Sequence, residues 1–312
     1  MKSTRLAPSP TGALHLGNAR TFLLTWLAAR ARGLGLPLRI EDIDSPRKKP
    51  GATELLLEDL RWLGIDWDGA PLIQSTRHAE HVRALDQLIA NNLVYACACS
   101  RKDVESAQSA PHAEDDLVYP GTCRGKYNSA EQASAVVSRP VALRFRVPKG
   151  VLAFEDEFLG LVRLDPSVHG GDFVVARFDP ATGYAPGYQL AVVVDDAAQE
   201  IDFVIRGDDL LTSTPRQRLL QTALGFTHPA TAHLPLVVGA DGRRLAKRHG
   251  DTRIASYREE GVPASRIRAW VAKTSGFPEK SFQDPTACRF SWDAVPRGAV
   301  VVPAHDLRAG PP

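Results

Sequence analysis

Residues 5–20 read Arg5-Leu-Ala-Pro-Ser-Pro-Thr-Gly-Ala-Leu-His-Leu-Gly-Asn-Ala-Arg20, and they indicate the architecture of the chain more clearly than any other segment. Pro8 and Pro10 fix their φ angles and exclude a helix there, so the segment predicts the end of a strand followed by a stiff turn. Asn18 is the expected N-cap of a helix, because apolar residues recur at helical spacing after it. A helix N-terminus that follows a glycine-containing turn presents free N–H groups to an anion, and His15 lies just before it.

The next segments alternate between strand and helix patterns. Residues 38–44, Leu38-Arg-Ile-Glu-Asp-Ile-Asp44, predict a strand that ends in acidic residues, and residues 53–63 and 77–91 predict amphipathic helices. This order, with short links, is typical of a parallel α/β sheet. Ligands bind beyond the carboxyl ends of such strands, so we expect residues 5–9 and Glu41 to line one crevice. The chain contains neither the dinucleotide fingerprint G-x-G-x-x-G nor a P-loop, which argues against a dehydrogenase or a P-loop ATPase.

The pattern changes between residues 95 and 184 and then resumes. Strand-like runs at 141–147 and 160–164 predict an insertion between two halves of the sheet. Residues 190–195, Leu190-Ala-Val-Val-Val-Asp195, predict a buried strand by their β-branched content. Further predicted elements follow: a strand at 203–207, a helix beginning at Ser213-Thr-Pro215, a strand at 234–238 and a helix at 264–274. We therefore divide the chain into five predicted segments. Residues 1–94 and 185–250 form the two halves of the α/β domain, 95–184 the insertion, 251–279 a short helical region and 280–312 an irregular tail.

Composition and charge are those of an ordinary globular protein with two locally basic segments. The 312 residues are 44% hydrophobic and 24% charged, with a net charge of +2. This length suggests about two domains. Residues 1–50 and 243–273 each hold nine Lys or Arg against three acidic residues, which fits either a local polyanion site or solvated helix faces. The N-terminus lacks the apolar region of a signal peptide, so we expect a cytoplasmic protein that makes no membrane contact. We also expect it to be a monomer.

Three of the four cysteines are close in sequence. Cys97-Ala-Cys99 and Tyr119-Pro-Gly-Thr-Cys123 supply three thiolates, whereas Cys288 stands alone. Structural zinc sites are tetrahedral and take thiolates most often, and disulfides are rare in a reducing compartment. The spacing therefore predicts a Zn²⁺ site, for which His112 is a conceivable fourth ligand by its chemistry. Free thiols without a metal are the alternative.

Two signatures resemble those of a known family. His15-Leu-Gly-Asn18 resembles the first signature of the class I aminoacyl-tRNA synthetases, and Arg244-Leu-Ala-Lys247-Arg248 resembles the second, a lysine-bearing loop. The resemblance implies an α/β fold with a Rossmann-like parallel sheet split by an insertion and followed by a short helical region. It also implies that a carboxylate attacks the α-phosphate of ATP, with Mg²⁺ present. His15 and Lys247 are the implied catalytic residues, because donors must stabilise the charge that builds on phosphate oxygens. The implied ATP site comprises His15, Gly17, Asn18 and Lys247.

Other residues resemble the glutamyl subgroup of this family. They are Arg5-x-Ala-Pro-Ser-Pro-Thr-Gly and Arg39-Ile-Glu-Asp-Ile-Asp44, and Asn18 in place of a second histidine also resembles glutamyl-type members. The resemblance implies a pocket for L-glutamate formed by Arg5, Ala7, Ser9, Glu41, Tyr188 and Arg206. In it, two arginines meet the side-chain carboxylate and reject the neutral amide of glutamine. Ser9 would hold the α-carboxylate and Glu41 the α-ammonium group. The resemblance also points to Tyr119 as the fourth zinc ligand.

The length of the chain favours one branch of the subgroup. Only 62 residues follow Gly250, too few for the helical anticodon-binding part of a discriminating glutamyl-tRNA synthetase. The stretch Asp208-Asp209-Leu-Leu-Thr-Ser-Thr-Pro-Arg216 and the cysteine spacing resemble the truncated paralogues, the glutamyl-Q tRNA(Asp) synthetases. That family activates glutamate and attaches it to queuosine in the anticodon loop of tRNA(Asp), and we expect activation without tRNA. Two alternatives stay open: a minimal glutamyl-tRNA synthetase that esterifies the tRNA 3′ end, and a non-enzymatic tRNA-binding relic.

Overall fold

The computed structural model describes residues 2–10, 13–43, 50–106, 118–243, 245, 251–302 and 307–308. The helices within these ranges are α1 (Leu16–Arg32), α2 (Ala52–Trp62), α3 (His78–Ala90), α4 (Arg101–Ser106), α5 (Ala130–Val137), α6 (Tyr188–Ala198), α7 (Ser213–Leu224), α8 (Ile254–Glu259) and α9 (Ala264–Thr274). None of these described helices is long and apolar enough to cross a membrane.

The strands within the same ranges are short. They are β1 (Pro37–Ile40), β2 (Asp68–Ile73), β3 (Val94–Cys97), β4 (Val141–Phe145), β5 (Leu152–Asp156), β6 (Gly160–Leu164), β7 (Val174–Asp179), β8 (Gly183–Pro186), β9 (Phe203–Gly207), β10 (Ala230–Leu234), β11 (Val237–Val238) and β12 (Val300–Val301).

Strands from early and late parts of the chain form a mainly parallel sheet. β1 pairs in parallel with β2, and residues 3–6 lie parallel to β1, where Leu6 N donates to Pro37 O at 3.0 Å. On the other side of residues 3–6, Phe203 N of β9 donates to Ser3 O at 3.1 Å. β9, β10 and β5 continue in parallel, and β6 closes the edge antiparallel to β5. The predicted α/β fold with a parallel sheet is therefore confirmed.

Helix α1 packs on this sheet and forms the centre of the larger hydrophobic core. Its buried residues include Ala19, Leu23 and Leu27, in agreement with the predicted apolar face. The helix begins at Leu16, so the prediction of Asn18 as N-cap is wrong. Leu16 N donates to the carbonyl of Thr252 at 2.9 Å, an anchor from a distant segment that the local sequence could not indicate.

A second, antiparallel sheet lies in the region predicted as an insertion. Its strand order is β3-β4-β7-β8, and a second hydrophobic core lies between it and helices α3, α6 and α7. The prediction of a strand at 190–195 is wrong, because these residues belong to α6 and all of them are buried. A short apolar run can be a strand or a helix buried on every side, and periodicity alone does not distinguish them. Packing of α6 against α3, α7 and β7 decides for the helix.

The C-terminal residues fold back onto the larger core. The strand predicted at 234–238 is divided into β10 and β11 around Pro235, which cannot donate to a ladder. β11 pairs in parallel with β12 from the tail. Short 3₁₀ turns at 279–282, 285–287 and 292–294 precede β12, and Trp292 is buried in the core with α1.

Candidate active site

A cleft of about 640 Å³ opens where residues 3–6, β1 and β9 end and α1 begins. Nine residues predicted from sequence line it: Arg5, Ala7, Ser9, His15, Gly17, Asn18, Glu41, Tyr188 and Arg206. The tenth, Lys247, lies outside the described residues, but Leu245 from the same loop also lines the cleft. The structure therefore brings the described candidates for the glutamate and ATP sites into one space.

Arg206 is a buried positive charge in the wall of this cleft. It lies near the end of β9 and is only 5% exposed. Its Nε donates to His233 Nε2 at 3.0 Å, its Nη1 to Gln217 Oε1 at 2.8 Å and its Nη2 to Thr214 Oγ1 at 2.7 Å. All three acceptors are uncharged, and no carboxylate of the described residues forms an ion pair with Arg206. Burial lowers the pKa of Arg206, while the charges of Asp196 and Glu41 act in the opposite direction. A guanidinium does not lose its proton in proteins.

A buried acid, Asp196 of α6, links two other arginines beside the cleft. Its Oδ1 lies 2.7 Å from Arg39 Nη1 and 3.4 Å from Arg5 Nε. Arg39 is fully buried, and its Nη2 lies 3.0 Å from Glu41 Oε1. Arg5 also donates to the carbonyl of Ile205 on β9 at 3.2 Å. These contacts hold Arg5 and Glu41 at neighbouring positions in the cleft wall.

The acid–base state of the cleft follows from these contacts. Burial raises the pKa of Glu41, while Arg39 and Arg5 act in the opposite direction. Burial, and then the neighbouring Glu41, raises the pKa of Tyr188 to about 12. The Tyr188 phenol at the start of α6 is therefore protonated at neutral pH and can donate a hydrogen bond.

The N-terminus of α1 forms the opposite part of the cleft. His15 is its N-cap residue, and Gly17 and Asn18 lie in the first turn, whose N–H groups favour an anion. The pKa of His15 is lowered by desolvation, with Asp251 acting in the opposite direction and Arg253 in the same direction. A Cβ at Gly17 would make ordinary contacts with Val237, so packing within the protein does not require glycine there.

The segment after the lysine-bearing loop is attached directly to this helix start. Residues His15 and Arg253 form an antiparallel bridge, and Ile254 N donates to Leu14 O at 2.8 Å. Before the loop, Gly239 N donates to Arg243 O at 2.8 Å. The segment that follows the loop is therefore held next to the start of α1, and a turn at residues 239–243 precedes the loop.

A group of three cysteines and one tyrosine lies in the region predicted as an insertion. We call it the thiol cluster, and it consists of Cys97, Cys99, Cys123 and Tyr119. The three sulfur atoms lie within 4.8 Å of one another. The Tyr119 hydroxyl lies 3.2 Å from Cys97 Sγ and 3.7 Å from Cys99 Sγ. Cys99 and Cys123 Sγ are 3.5 Å apart, close to the edge of about 3.8 Å of a tetrahedron with zinc–sulfur bonds of about 2.3 Å. The donor set therefore fits zinc, while His112 lies outside the described residues.

Sequence reasoning missed several residues that shape the cleft. Asp196 was visible only as the second of two acids after an apolar run, and Arg39 only as a neighbour of Glu41. His233 and Asp156, which lie behind Arg206, had no signal at all, because they come from strands far apart in sequence.

Comparison with protein families supports the sequence reading. Residues 2–283 match the family described as tRNA synthetases class I (E and Q), catalytic domain. A glutamyl-Q tRNA(Asp) synthetase from Rhodopirellula baltica is 50% identical over 280 residues, which are 87% of this chain and 84% of that protein. One from Symbiobacterium thermophilum is 44% identical over 98% of this chain and 97% of its own length.

The fold is also that of a solved structure. A crystal structure of a glutamate tRNA ligase from Elizabethkingia meningosepticum, in complex with its amino acid, aligns with a TM-score of 0.79 at 27% identity. The alignment covers 97% of this chain but 67% of the ligase. The ligase therefore has a further third of its length outside the shared body.

Proposed function

We propose, from the premise that this chain belongs to the class I tRNA synthetase (E and Q) family, that it activates L-glutamate with ATP and transfers it to queuosine in tRNA(Asp). Identity to proteins of that activity extends over nearly the whole of both chains, at 50% and 44%. The longer glutamate tRNA ligase is matched over only 67% of its length. This difference favours the queuosine-directed reaction over esterification of a tRNA 3′ end.

The buried charge of Arg206 is the observation that carries the choice of glutamate. Its described hydrogen-bond partners are neutral acceptors, so an incoming carboxylate would be its direct ion-pair partner. Arg5 faces the same cleft and would share that carboxylate. Glutamine has a neutral amide, which would leave the buried Arg206 guanidinium without an ion-pair partner.

The remaining pocket residues suit the other end of the amino acid. Glu41 is the proposed partner of the α-ammonium group, and Ser9 that of the α-carboxylate. Ala7 also lines the cleft, and the protonated Tyr188 phenol would supply a further donor. These roles require a substrate that carries one positive and two negative groups.

In the proposed activation step, an α-carboxylate oxygen attacks the α-phosphorus of ATP. The bond between this phosphorus and the bridging oxygen breaks, and pyrophosphate leaves. His15 and the N–H groups of Gly17 and Asn18 would stabilise the charge on the phosphate oxygens. Lys247, from the loop beside the cleft, would act on the pyrophosphate side.

In the proposed transfer step, a hydroxyl of the queuosine cyclopentenediol attacks the carbonyl carbon of the glutamyl-adenylate. The carbonyl–phosphate bond breaks, AMP leaves and the hydroxyl proton is lost to solvent. Protein readers of RNA sequence mostly target unpaired, splayed bases, which an anticodon loop provides. A base of tRNA(Asp) that enters the cleft itself would need no distant anticodon-binding part.

We also propose that the thiol cluster holds a structural Zn²⁺. The three sulfur atoms and the Tyr119 hydroxyl would fill a closed tetrahedral set without a position for water. When bound, the metal would join β3 to the segment 119–123 and would take no part in phosphate chemistry.

The substrate is tested by ATP–pyrophosphate exchange without tRNA. We expect exchange with glutamate and much less with glutamine or aspartate. Arg206→Gln should lower kcat/KM for glutamate by about 100-fold or more, since one charged pair is lost. Arg83→Gln is the matched control, because Arg83 is an arginine of α3 whose side chain is 73% exposed, and it should change exchange less than twofold. Equal exchange with glutamine would refute the pocket.

The acceptor is tested with a tRNA(Asp) anticodon stem-loop that has no 3′ acceptor end. We expect labelled glutamate to be transferred to the stem-loop that bears queuosine and not to the same stem-loop with guanosine. Transfer to full-length tRNA(Glu), with none to the queuosine stem-loop, would instead identify a minimal glutamyl-tRNA synthetase.

A further inference from the structure

A buried acid–imidazole pair lies directly behind Arg206. Asp156 ends β5, and His233 of β10 is opposite Arg206 of β9 in the sheet register. Both side chains are fully buried, and neither belongs to the described residues that line the cleft. Among the described residues, the pair therefore makes no direct contact with the cleft and reaches it through Arg206.

The hydrogen bonds define where the imidazole proton lies. Arg206 Nε always carries a hydrogen and points at His233 Nε2 at 3.0 Å, so Nε2 must be the acceptor. The proton then lies on Nδ1, which is 2.6 Å from Asp156 Oδ2. Thr214 Oγ1 is also 3.0 Å from Nε2 and accepts from Arg206 Nη2. The tautomer is thus set by its partners.

Backbone groups hold the carboxylate in this orientation. Asp156 Oδ1 accepts from the N–H groups of Leu159 at 2.9 Å, Phe158 at 3.1 Å and His233 at 3.2 Å. Burial opposes ionisation, but the hydrogen bonds from His233 and Leu159 bring the pKa of Asp156 to about 2. Burial lowers the pKa of His233, so the imidazole is neutral at physiological pH.

We infer that Asp156 and His233 are positioning residues for Arg206 and that they set its selectivity for glutamate over glutamine. A neutral imidazole orients the guanidinium without cancelling its charge. A carboxylate in the place of His233 would pair with Arg206 itself and compete with the side-chain carboxylate of the substrate. This role rests on the proposed function, because it assigns the substrate carboxylate to Arg206.

Asp156→Asn provides a nearly isosteric test. The three N–H groups at the Oδ1 position require an acceptor, so the amide oxygen takes that place and the amide NH₂ faces His233 Nδ1. The imidazole proton must then move to Nε2, where it meets the N–H of Arg206. We expect kcat/KM for glutamate to fall by about 10- to 100-fold, mainly through KM, which is the effect of one hydrogen bond to a charged group. The ratio of glutamate to glutamine exchange should fall by the same factor, while KM for ATP should not change.

The same substitution in a His233→Gln background separates positioning from general damage. The glutamine amide oxygen can accept from Arg206 whatever residue stands at position 156, so Asp156→Asn should then change glutamate exchange less than about threefold.

Asp195→Asn is the matched control, because Asp195 is also buried and lies 2.9 Å from a buried histidine, His81 of α3. It should leave the ratio of glutamate to glutamine exchange unchanged, even if stability falls.

The tautomer itself can be observed independently of activity by ¹⁵N NMR of histidine-labelled protein, with His233→Gln to assign the signal. We expect a proton on Nδ1 in the wild type and on Nε2 in Asp156→Asn. A wild-type proton on Nε2, or equal losses with glutamate and glutamine, would overturn the inference. Wild-type protein without any glutamate-dependent exchange, but with the expected tautomers, would instead refute the proposed function and with it the assigned selectivity.

Discussion

Trp292 tests whether the C-terminal tail is part of the folded core. Its side chain is 6% exposed and makes edge-on ring contacts with Phe158 at 6.2 Å, Phe203 at 6.3 Å and Phe290 at 4.6 Å between centroids. The guanidinium of Arg32 at the end of α1 lies 5.5 Å from the Trp292 ring. Trp292→Ala removes all of these contacts, and we expect a loss of about 3–5 kcal/mol in the free energy of unfolding.

Two further substitutions divide this loss into its parts. Trp292→Phe keeps a ring but loses the hydrogen bond from Nε1 to Glu157 Oε2, which is 2.9 Å long. Since the Glu157 side chain is 40% exposed and water can replace this bond, we expect a loss of only about 1–2 kcal/mol. Val301→Ala, at a tail residue that is 53% exposed, is the control and should cost less than about 0.5 kcal/mol.

The assay is urea unfolding at 25 °C followed by circular dichroism in the far ultraviolet. The substitutions should shift the midpoint without changing the slope. A loss below about 1 kcal/mol for Trp292→Ala, or an effect equal to that of Val301→Ala, would refute the packing of the tail against α1.

Three other perturbations have expected outcomes. Burial raises the pKa of Asp59 to about 6 despite the opposing charge of Arg258, so the ionised form destabilises the fold and stability falls as pH rises from about 4 through 6. Relative to wild type, Asp59→Asn should therefore gain about 2 kcal/mol in the free energy of unfolding as the pH rises from 4.5 to 7.5, measured by urea unfolding, and a constant difference would contradict this. Arg308 donates to the carbonyl of Asp251 at 2.9 Å, beside the lysine-bearing loop. Arg308→Ala should therefore lower kcat for exchange several-fold without changing KM for glutamate, and Arg308→Lys should have a smaller effect. A change in KM alone would argue against this role. Metal analysis should find one zinc per chain, and its removal by a chelator should lower the unfolding temperature; no metal, or loss of exchange at full stability, would contradict a structural role for the thiol cluster.

The parts of the site that could be predicted from sequence are those carried by continuous segments. Most of the predicted residues of one wall come from the continuous stretch 5–18, so local patterns were enough to group them, although these patterns misplaced the start of α1. Glu41 could be added because it follows a strand whose neighbour in the sheet could be inferred. The thiol cluster was predictable because Cys97 and Cys99 share one segment and Cys123 follows within 24 residues.

The parts that could not be predicted depend on contacts between distant segments. His233 and Asp156 are single polar residues in ordinary strands, and only the pairing of β5, β9 and β10 makes them neighbours of Arg206. The start of α1 at Leu16 depends in the same way on the carbonyl of Thr252. Such contacts leave no local sequence pattern, because each residue forms its hydrogen bond with a residue from a distant segment and not with its sequence neighbours.

Because residues 190–195 form a helix and not the predicted strand, Asp195 and Asp196 point in different directions from those expected. On a strand, two consecutive side chains point to opposite faces, whereas on a helix they diverge by only about 100°. In α6, Asp195 contacts His81 of α3, while Asp196 contacts Arg5 and Arg39 beside the cleft. Because both acids are on one helix, α6 contacts both the second core and the arginines beside the cleft, through different side chains. A strand with the same sequence would send the two acids to opposite faces of a sheet, whereas the helix lets one element contact both the cleft arginines and the second core.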